Sequence, residues 1–353
     1  MRLRRALEEL LQKWVEDGVV STAVGLVARG ESVLWQSGAA SKAATSGTVE
    51  PDEHSLFDLA SLTKPVMATL AIILDQRGAM RLDSSLSSLW PDCPASTAAI
   101  QLDDLLRHRS RLQAWYPLYT TSRVEAARDL LLDGTVLGSR LGTYSDLGYV
   151  LWGLSAERAL SKGLWRLLRT ELLEPAGLEG VGRGGALEGL DVVPCLCDNG
   201  QEVELAKALG IPIERRVPEL GAPQDGNAAF LGGLAGHAGL FGSAAFLHNL
   251  ANFWLAALRG QNRILSQGSA LRALSGAGRG TGWGRRRARG GAGPALSPSS
   301  FGHVGFSGTS LWCDPTTNGV FILLGHRTSP FSDLNSWRRK FHRLAAALLQ
   351  VEN

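Results

Sequence analysis

Strand signals stand at the two ends of this chain, and helical signals fill the stretch between them. Thr22–Arg29 and Glu31–Ser37 read as two strands meeting in a hairpin at Arg29-Gly30-Glu31. Phe301–Cys313 and Val320–His326 are again β-rich, and Asp314-Pro-Thr-Thr-Asn-Gly319 between them carries the residues of a strong turn. From about Ser61 to Leu274 the pattern is mainly helical, with candidates at Met67–Arg77, Asp103–Arg107, Val124–Asp133, Leu147–Ala159, Trp165–Leu173 and Ala244–Arg259. Leu3, Leu7, Leu10, Leu11 and Trp14 predict an amphipathic helix over 3–17, and Trp337, Phe341, Leu344 and Leu348 predict another at the far end. A hairpin alone is marginal in water. The strands of both termini are therefore expected in one antiparallel sheet, flanked by helices and interrupted by a mostly helical insertion. That is an α+β fold, not alternating βαβ. At roughly 100–200 residues per domain, 353 residues allow one large domain or two intimate ones. The expectation is a single domain over 1–353, with an α/β lobe at approximately 1–58 and 275–353 and a helical lobe at approximately 59–274.

Composition excludes several classes. Hydrophobic residues at 44% and charged residues at 20% support a sizeable core and argue against global disorder. A balance of 36 Lys+Arg against 33 Asp+Glu argues against a dedicated nucleic-acid binder. The run Arg285-Arg-Arg-Ala-Arg289 lies in the Gly-, Arg-, Ser- and Pro-rich stretch 276–300 and reads as a solvated loop. Gly226–Gly242 is glycine-rich but matches neither the dinucleotide fingerprint nor the Walker loop. The four cysteines are too few and scattered for a disulfide framework, and Cys195-Leu-Cys197 has no second Cys/His pair at metal-binding spacing. There is no H-E-x-x-H, and neither a metal nor another cofactor is expected. Glu8, Glu9, Lys13, Glu16 and Asp17 interrupt any apolar leader after Met1-Arg-Leu-Arg-Arg. No stretch approaches the roughly 18 apolar residues of a spanning helix. A cytoplasmic protein without a membrane span is expected, of open oligomeric state.

Three constellations can carry chemistry. The first is Ser61-Leu-Thr-Lys64. A serine hydroxyl needs a nearby base to act as a nucleophile at neutral pH, and one helical turn places residues three apart on the same face. With six lysines and 30 serines, chance gives about half an S-x-x-K match, and this is the one present. Pro65 fits a helix that begins near Leu62, because first-turn amides have no intrahelical partner. Ser61 then stands at the helix N-terminus, where the dipole favours developing negative charge. The second is Tyr144-Ser-Asp146, at a loop-to-helix junction. A tyrosine near a lysine ammonium can serve as a base; an ordinary helix cap by Ser145 or Asp146 is the alternative reading. The third is His303-Val-Gly305-Phe306-Ser-Gly308, on a predicted strand, where Gly305 would allow a ligand to approach the backbone. A bulged strand is the alternative there.

The three together, in this order and separation, resemble the serine β-lactamase and DD-peptidase superfamily, closest to the class C-like branch that also holds esterases and D-aminopeptidases. The resemblance spans nearly the whole chain, with further family-like stretches at Ile100–Leu112, Asn227–Gly242 and Gly302–Leu311. It implies a sheet of both termini beside a helical lobe, with the site between. It also implies roles. Ser61 is the acylated nucleophile; Lys64 and Tyr144 form the proton-transfer network; the backbone N–H groups of Ser61 and of Phe306, which follows Gly305, form the oxyanion hole; and His303 lines the opposite wall.

The chain departs from that pattern at three places. Asp146 stands where class C β-lactamases have Asn; its carboxylate should favour the charged form of Lys64 and shift the base role to Tyr144. His303 stands where many β-lactamases have Lys, and a largely neutral imidazole is a poor fixed charge for a β-lactam carboxylate. Arg111 replaces the glycine usual in the family's H-T-S-G-L stretch, so a different turn is expected there. His237 reads as a structural histidine near the cleft, and Trp115, Tyr116 and Tyr119 either wall an acyl pocket or pack the core. The reading that follows is a serine hydrolase working through an acyl-enzyme on a small-molecule ester, amide or peptide. A carboxylesterase comes first. A DD-carboxypeptidase, a D-aminopeptidase or a weak β-lactamase is the alternative, and a non-catalytic ligand-binding descendant is the reading of another class.

Overall fold

The structure is a computed structural model that describes residues 1–42, 50–276 and 279–352. Nine strands follow in chain order: β1 (Val20–Arg29), β2 (Ser32–Ala40), β3 (Phe57–Asp58), β4 (Val181–Arg183), β5 (Leu240–Gly242), β6 (Gly284–Arg285), β7 (Phe301–Val304), β8 (Ser310–Asp314) and β9 (Gly319–Arg327). Six of them form one antiparallel sheet in the order β2-β1-β9-β8-β7-β6. The sheet joins both ends of the chain, since β1 pairs with β9 along its length. β3, β5 and β4 form a second, small sheet that carries the chain to the site.

The pleat of β1 explains why this sheet is covered on both faces. Val24, Leu26 and Ala28 belong to the core shared with the helical region, while Ala23 and Val27 belong to the core beneath the terminal helices. The helix Arg2–Glu16 buries Leu7, Leu11 and Trp14, and the helix Leu334–Val351 buries Trp337, Phe341 and Leu348. Trp14 and Trp337 stack with ring centroids 6.2 Å apart, so the two ends of the chain close over one face of the sheet. Fully burying side chains of this size contributes about 1.5–3 kcal/mol each. On the other face lie the helices Thr63–Gln76, Asp146–Leu160 and Ala244–Leu258.

Three expectations need correction. Phe301–Cys313 is two strands, not one: the chain turns at 305–309, where the Gly305 N–H donates to the Thr309 carbonyl at 2.8 Å and Gly308 takes φ +130°. His303 is therefore on a strand, but Gly305 and Phe306 are in the turn. Gly305 lines a cavity, but the space its missing side chain would take is filled by the protein and not left for a ligand. A Cβ there would lie 2.0 Å from Thr309 Oγ1 and 2.7 Å from the Leu59 carbonyl, so the glycine serves a close approach within the protein. Finally, 276–300 is not simply a solvated loop, although Ala277 and Gly278 lie outside the described residues. Trp283 is buried against Trp254 and Phe301, with ring centroids 5.1 Å from each, and β6 pairs with β7. That anchor holds the surrounding arginines against the cleft.

Candidate active site

The nucleophile's segment is shaped by an aspartate below it. The buried Asp58 carboxylate accepts the Ala60 N–H at 2.8 Å through one oxygen and the Gln224 N–H at 2.9 Å through the other. Burial pushes the Asp58 carboxyl up to about 6 in spite of these two donors. Ala60 takes φ +46°, a conformation that costs an L-residue about 1–2 kcal/mol. Its hydrogen bond to Asp58 holds the bend, and Ser61 follows in the single turn Ala60–Leu62 that leads into the helix Thr63–Gln76.

Lys64 sits in the first turn of that helix and is 0% exposed. Its ammonium donates to Ser61 Oγ at 2.8 Å and to the His237 carbonyl at 3.3 Å, and pairs with the Asp146 carboxylate, whose Oδ1 lies 2.7 Å away. Burial works to discharge it, but the Asp146 carboxylate and the Tyr144 phenol outweigh burial, and the pKa is raised. Lys64 is therefore an ammonium at neutral pH, donating to Ser61 Oγ. The sequence expectation for Asp146 matches this pairing.

Tyr144 and Asp146 reach the site because of how their helix starts. Ser145 caps Asp146–Leu160, its Oγ accepting the Gly148 N–H, so the cap and the site use alternate residues of one tripeptide. The Ser145 N–H donates to His108 Nδ1 at 2.9 Å, and the His108 ring lies 4.4 Å from the Tyr144 ring between centroids. Burial, then the Lys64 and Arg279 charges, hold the His108 pKa well below the usual range, so the ring is neutral. Arg111 in the same stretch takes φ +63°. The left-handed conformation expected of the missing glycine is kept by an arginine, contrary to the different turn expected from the sequence.

The facing wall is the turn 305–309. Ser307 Oγ donates to the Asp58 carbonyl at 2.8 Å, and Thr309 Oγ1 donates to the Leu59 carbonyl at 3.0 Å. Buried Arg338 donates through Nη2 to the carbonyls of Gly305 at 2.7 Å and Thr309 at 3.0 Å. The turn that carries Phe306 is thus fixed against the segment that carries Ser61. His303 Nδ1 lies 2.9 Å from the Val304 carbonyl. Burial, followed by the Lys64 charge, pushes its pKa down to about 3, so it is neutral at pH 7 and supplies no fixed charge.

Two cavities open from this centre, and Ser61, Tyr144 and Phe306 line both. One, of about 430 Å³, is walled by Arg279, Arg285, Arg287, Arg327 and Arg338, with His303. The other, of about 340 Å³, presents Trp115, Leu205 and Ala60 together with Glu202 and Asp225. Tyr119 donates to Glu202 at 2.9 Å, and burial together with Asp225 pushes the Glu202 carboxyl above the usual range. Asp225 Oδ1 lies 3.0 Å from Nε2 of the buried His237; burial pushes this carboxyl up, but His237 outweighs it and holds it low. The His237 backbone carbonyl also holds Lys64. Trp115 walls the second cavity, whereas Tyr116 gives its carbonyl to Asn227 at 2.9 Å.

The sequence reading missed Asp58, Arg279, Arg327 and Arg338. Arg279 had a signal: a lone tryptophan four residues on, in a Gly/Arg-rich stretch, marks a loop pinned to the core. Its guanidinium lies 4.8 Å from the Tyr144 ring centroid, within cation–π range. The others had no local signal, because their partners are far away in sequence. No helix of the described residues is long and apolar enough to cross a membrane.

Known proteins carry the same architecture. N-acetylmuramyl-L-alanine amidase of Bacillus subtilis (strain 168) is 26% identical over 310 residues, covering 79% of this chain and 70% of its own. A penicillin-binding protein homologue from Caulobacter crescentus superposes with a TM-score of 0.72 at 19% identity, covering 99% of this chain and 98% of its own. EstCE1, a hydrolase with promiscuous acyltransferase activity, superposes with a TM-score of 0.72 at 18% identity, covering 98% of each chain. The family model described as Beta-lactamase matches residues 3–345. A sheet closed by both termini, a buried lysine one turn after a serine, and a match over almost the whole length lead to one conclusion: this chain belongs to the Beta-lactamase family of serine hydrolases.

Proposed function

We propose that Ser61 is the nucleophile of a carboxylester hydrolase that works through an acyl-enzyme. One observation carries this reading: the buried Lys64 ammonium, ion-paired with Asp146 at 2.7 Å, donates to Ser61 Oγ at 2.8 Å. Lys64 holds the hydroxyl oxygen in place, and the Oγ proton must leave in another direction. Tyr144, which lines both cavities beside Ser61, takes it in its deprotonated form.

The step balances as follows. Ser61 Oγ bonds to the acyl carbon while its proton passes to the Tyr144 oxygen. The carbonyl electrons collect on an oxyanion, which accepts hydrogen bonds from the Ser61 and Phe306 N–H groups; losing one such donor costs about 3 kcal/mol of transition-state stabilisation. The ester C–O bond then breaks, and the proton moves from Tyr144 to the leaving oxygen. Water repeats the sequence, its proton passing through Tyr144 to Ser61 Oγ as the acyl bond breaks. Asp146 supports the path by keeping Lys64 charged, and His303 lines it. The apolar wall of Trp115 and Leu205 suits a hydrophobic acyl group.

Intact-protein mass spectrometry after exposure to a fluorophosphonate tests the assignment. One adduct on the wild type that vanishes in Ser61→Ala is expected. An adduct that persists in Ser61→Ala, or none on the folded wild type, overturns it. A second reading, cleavage of a D-alanyl peptide or another amide, draws on the positive charge beside Ser61, which would hold a peptide carboxylate, and on the amidase name of the Bacillus relative. Turnover of a D-Ala-D-Ala peptide far above that of any ester would establish it. Efficient β-lactam hydrolysis is not expected, because His303 is neutral where a fixed charge is needed.

A further inference from the structure

The larger cavity holds five guanidinium groups, and among the described residues none of the ion pairs within 4.0 Å includes Arg279, Arg285, Arg287, Arg327 or Arg338. The nine arginines that do pair with acids lie elsewhere. His303 adds no compensating negative charge. Arg327 and Arg338 are buried and spend their Nη groups within the protein, Arg327 on the Pro330 and Ser332 carbonyls and Arg338 on the Gly305 and Thr309 carbonyls and Asn335 Oδ1. They contribute a positive field chiefly, their Nη donors being taken. Arg285 donates to the Leu274 carbonyl at 2.8 Å. Arg279 and Arg287 keep their forks for a ligand. They also oppose each other: burial first, and the Arg287 charge after it, work against the charged form of Arg279. A carboxylate neutralises one guanidinium and leaves this repulsion largely in place. A group with two negative charges and several acceptor oxygens relieves it.

The second cavity sets the direction of the substrate. Glu202 and Asp225 stand in its wall, so an anion is repelled there, and Trp115 and Leu205 receive the acyl part. The opposite part of the substrate lies among the arginines, in a volume of about 430 Å³ that accommodates an aryl or sugar-sized group with its substituent.

Resting on the serine-hydrolase reading above, we propose that the arginine-walled cavity is a subsite for a dianionic, phosphate-monoester group on the leaving part of the substrate, held by Arg279 and Arg287. Binding is measured first, because it needs no turnover. Phenyl phosphate, benzoate and phenol are titrated calorimetrically into the Ser61→Ala protein at pH 7.5, where the phosphate is a dianion. Phenyl phosphate is expected to bind at least about tenfold more tightly than benzoate, and phenol weakest; the preference should shrink as salt screens it. Arg279→Gln with Arg287→Gln removes the preference. Arg287→Gln alone, at an exposed residue, lowers it several-fold and covers the case in which the double variant misfolds. Equal affinity for phenyl phosphate and benzoate overturns the proposal, as does a preference that survives both arginine variants. The two readings fail separately. Phosphate preference without fluorophosphonate labelling of the wild type sinks the nucleophile assignment and leaves the subsite standing; labelling without phosphate preference does the reverse.

Discussion

On the helical side of Ser61 the two central carboxylates each face a nitrogen base: Asp146 faces Lys64, and Asp225 faces His237. On the strand side five arginines line the cavity, and none of them is in an ion pair among the described residues. The two flanks meet at Ser61, Tyr144 and Phe306, yet they are under different constraints. The paired flank holds one protonation pattern and one geometry, which is what bond-breaking needs. The unpaired flank stores electrostatic work that an anionic ligand can release. Chemistry and selectivity are thus assigned to separate walls of one cleft.

The largest expected effect comes from breaking the paired flank. Lys64→Met removes the donor to Ser61 and leaves Asp146 without its cation. Fluorophosphonate acylation should slow by on the order of 10³-fold or more. Stability should fall by about 3 kcal/mol, towards the low end for a broken buried pair because Asp146 is 22% exposed and can be rehydrated. Arg287→Gln, on the other flank, should change stability by no more than about 0.5 kcal/mol. Urea titrations of both variants measure the contrast, and similar losses would erase it.

Next in size is the pH response of stability. Burial holds His303 at about 3 and His326 and His342 at about 4 in the folded protein. Each is neutral when folded and takes a proton near 6.5 when unfolded. Their contribution is therefore complete above pH 6.5 and is lost as the pH falls towards 4. Asp58 has the opposite sign: its folded value of about 6 lies above its unfolded value, so its contribution is present below the unfolded value and lost as the pH rises through 6. Glu202, raised to about 7, acts with Asp58, and His108, lowered by burial, acts with the other histidines; four histidines outnumber two carboxyls, and a net loss of about 3 kcal/mol between pH 6.5 and 5 is expected. A urea midpoint equal at the two pH values would contradict this.

A finer test separates the proton carriers. Asp146→Asn removes the carboxylate that keeps Lys64 charged, so the alkaline limb of kcat/KM should move to lower pH by one unit or more while activity remains measurable. His303→Gln should move neither limb above pH 5, since this imidazole is already neutral. An unchanged profile in Asp146→Asn would sink this assignment, and an acid limb that moved in place of the alkaline one would return the base role to Lys64.

The smallest effect concerns Arg111. At φ +63° a glycine relieves about 1 kcal/mol of strain and returns part of it as unfolded-chain entropy. Arg111→Gly should raise Tm by about 1 °C. His108→Gly at φ +57° should lower it, because the imidazole there accepts the Ser145 N–H and packs on Tyr144.

The sheet was legible because the hairpin at Gly30 and the turn at 314–319 are local signals, and β1 and β9, each already paired with its hairpin partner, pair with each other along their remaining edges. Ser61 and Lys64 were legible because three-residue spacing on a helix is geometry. The turn at 305–309 was not, since Val304-Gly-Phe306 keeps an apolar strand-like character and the bonds that break the strand run to Asp58 and Leu59. The arginine wall was hidden for two reasons. The local polarity of 279–289 imitates a solvated loop, while Arg327 and Arg338 sit in an apolar strand and an amphipathic helix whose patterns give no hint of a cleft. Arg111 escaped because tertiary context overrode its backbone preference.

The hydroxyl bonds from Ser307 to Asp58 and from Thr309 to Leu59 have a consequence for how this protein admits its substrate. They rivet the two sides of the cleft together directly behind the nucleophile, so the jaws cannot swing apart there. Such a site works as a fixed doorway rather than a clamp. Selection falls on what can pass the frame, and the frame is built largely from a surface loop that can be rewritten without disturbing the rivets.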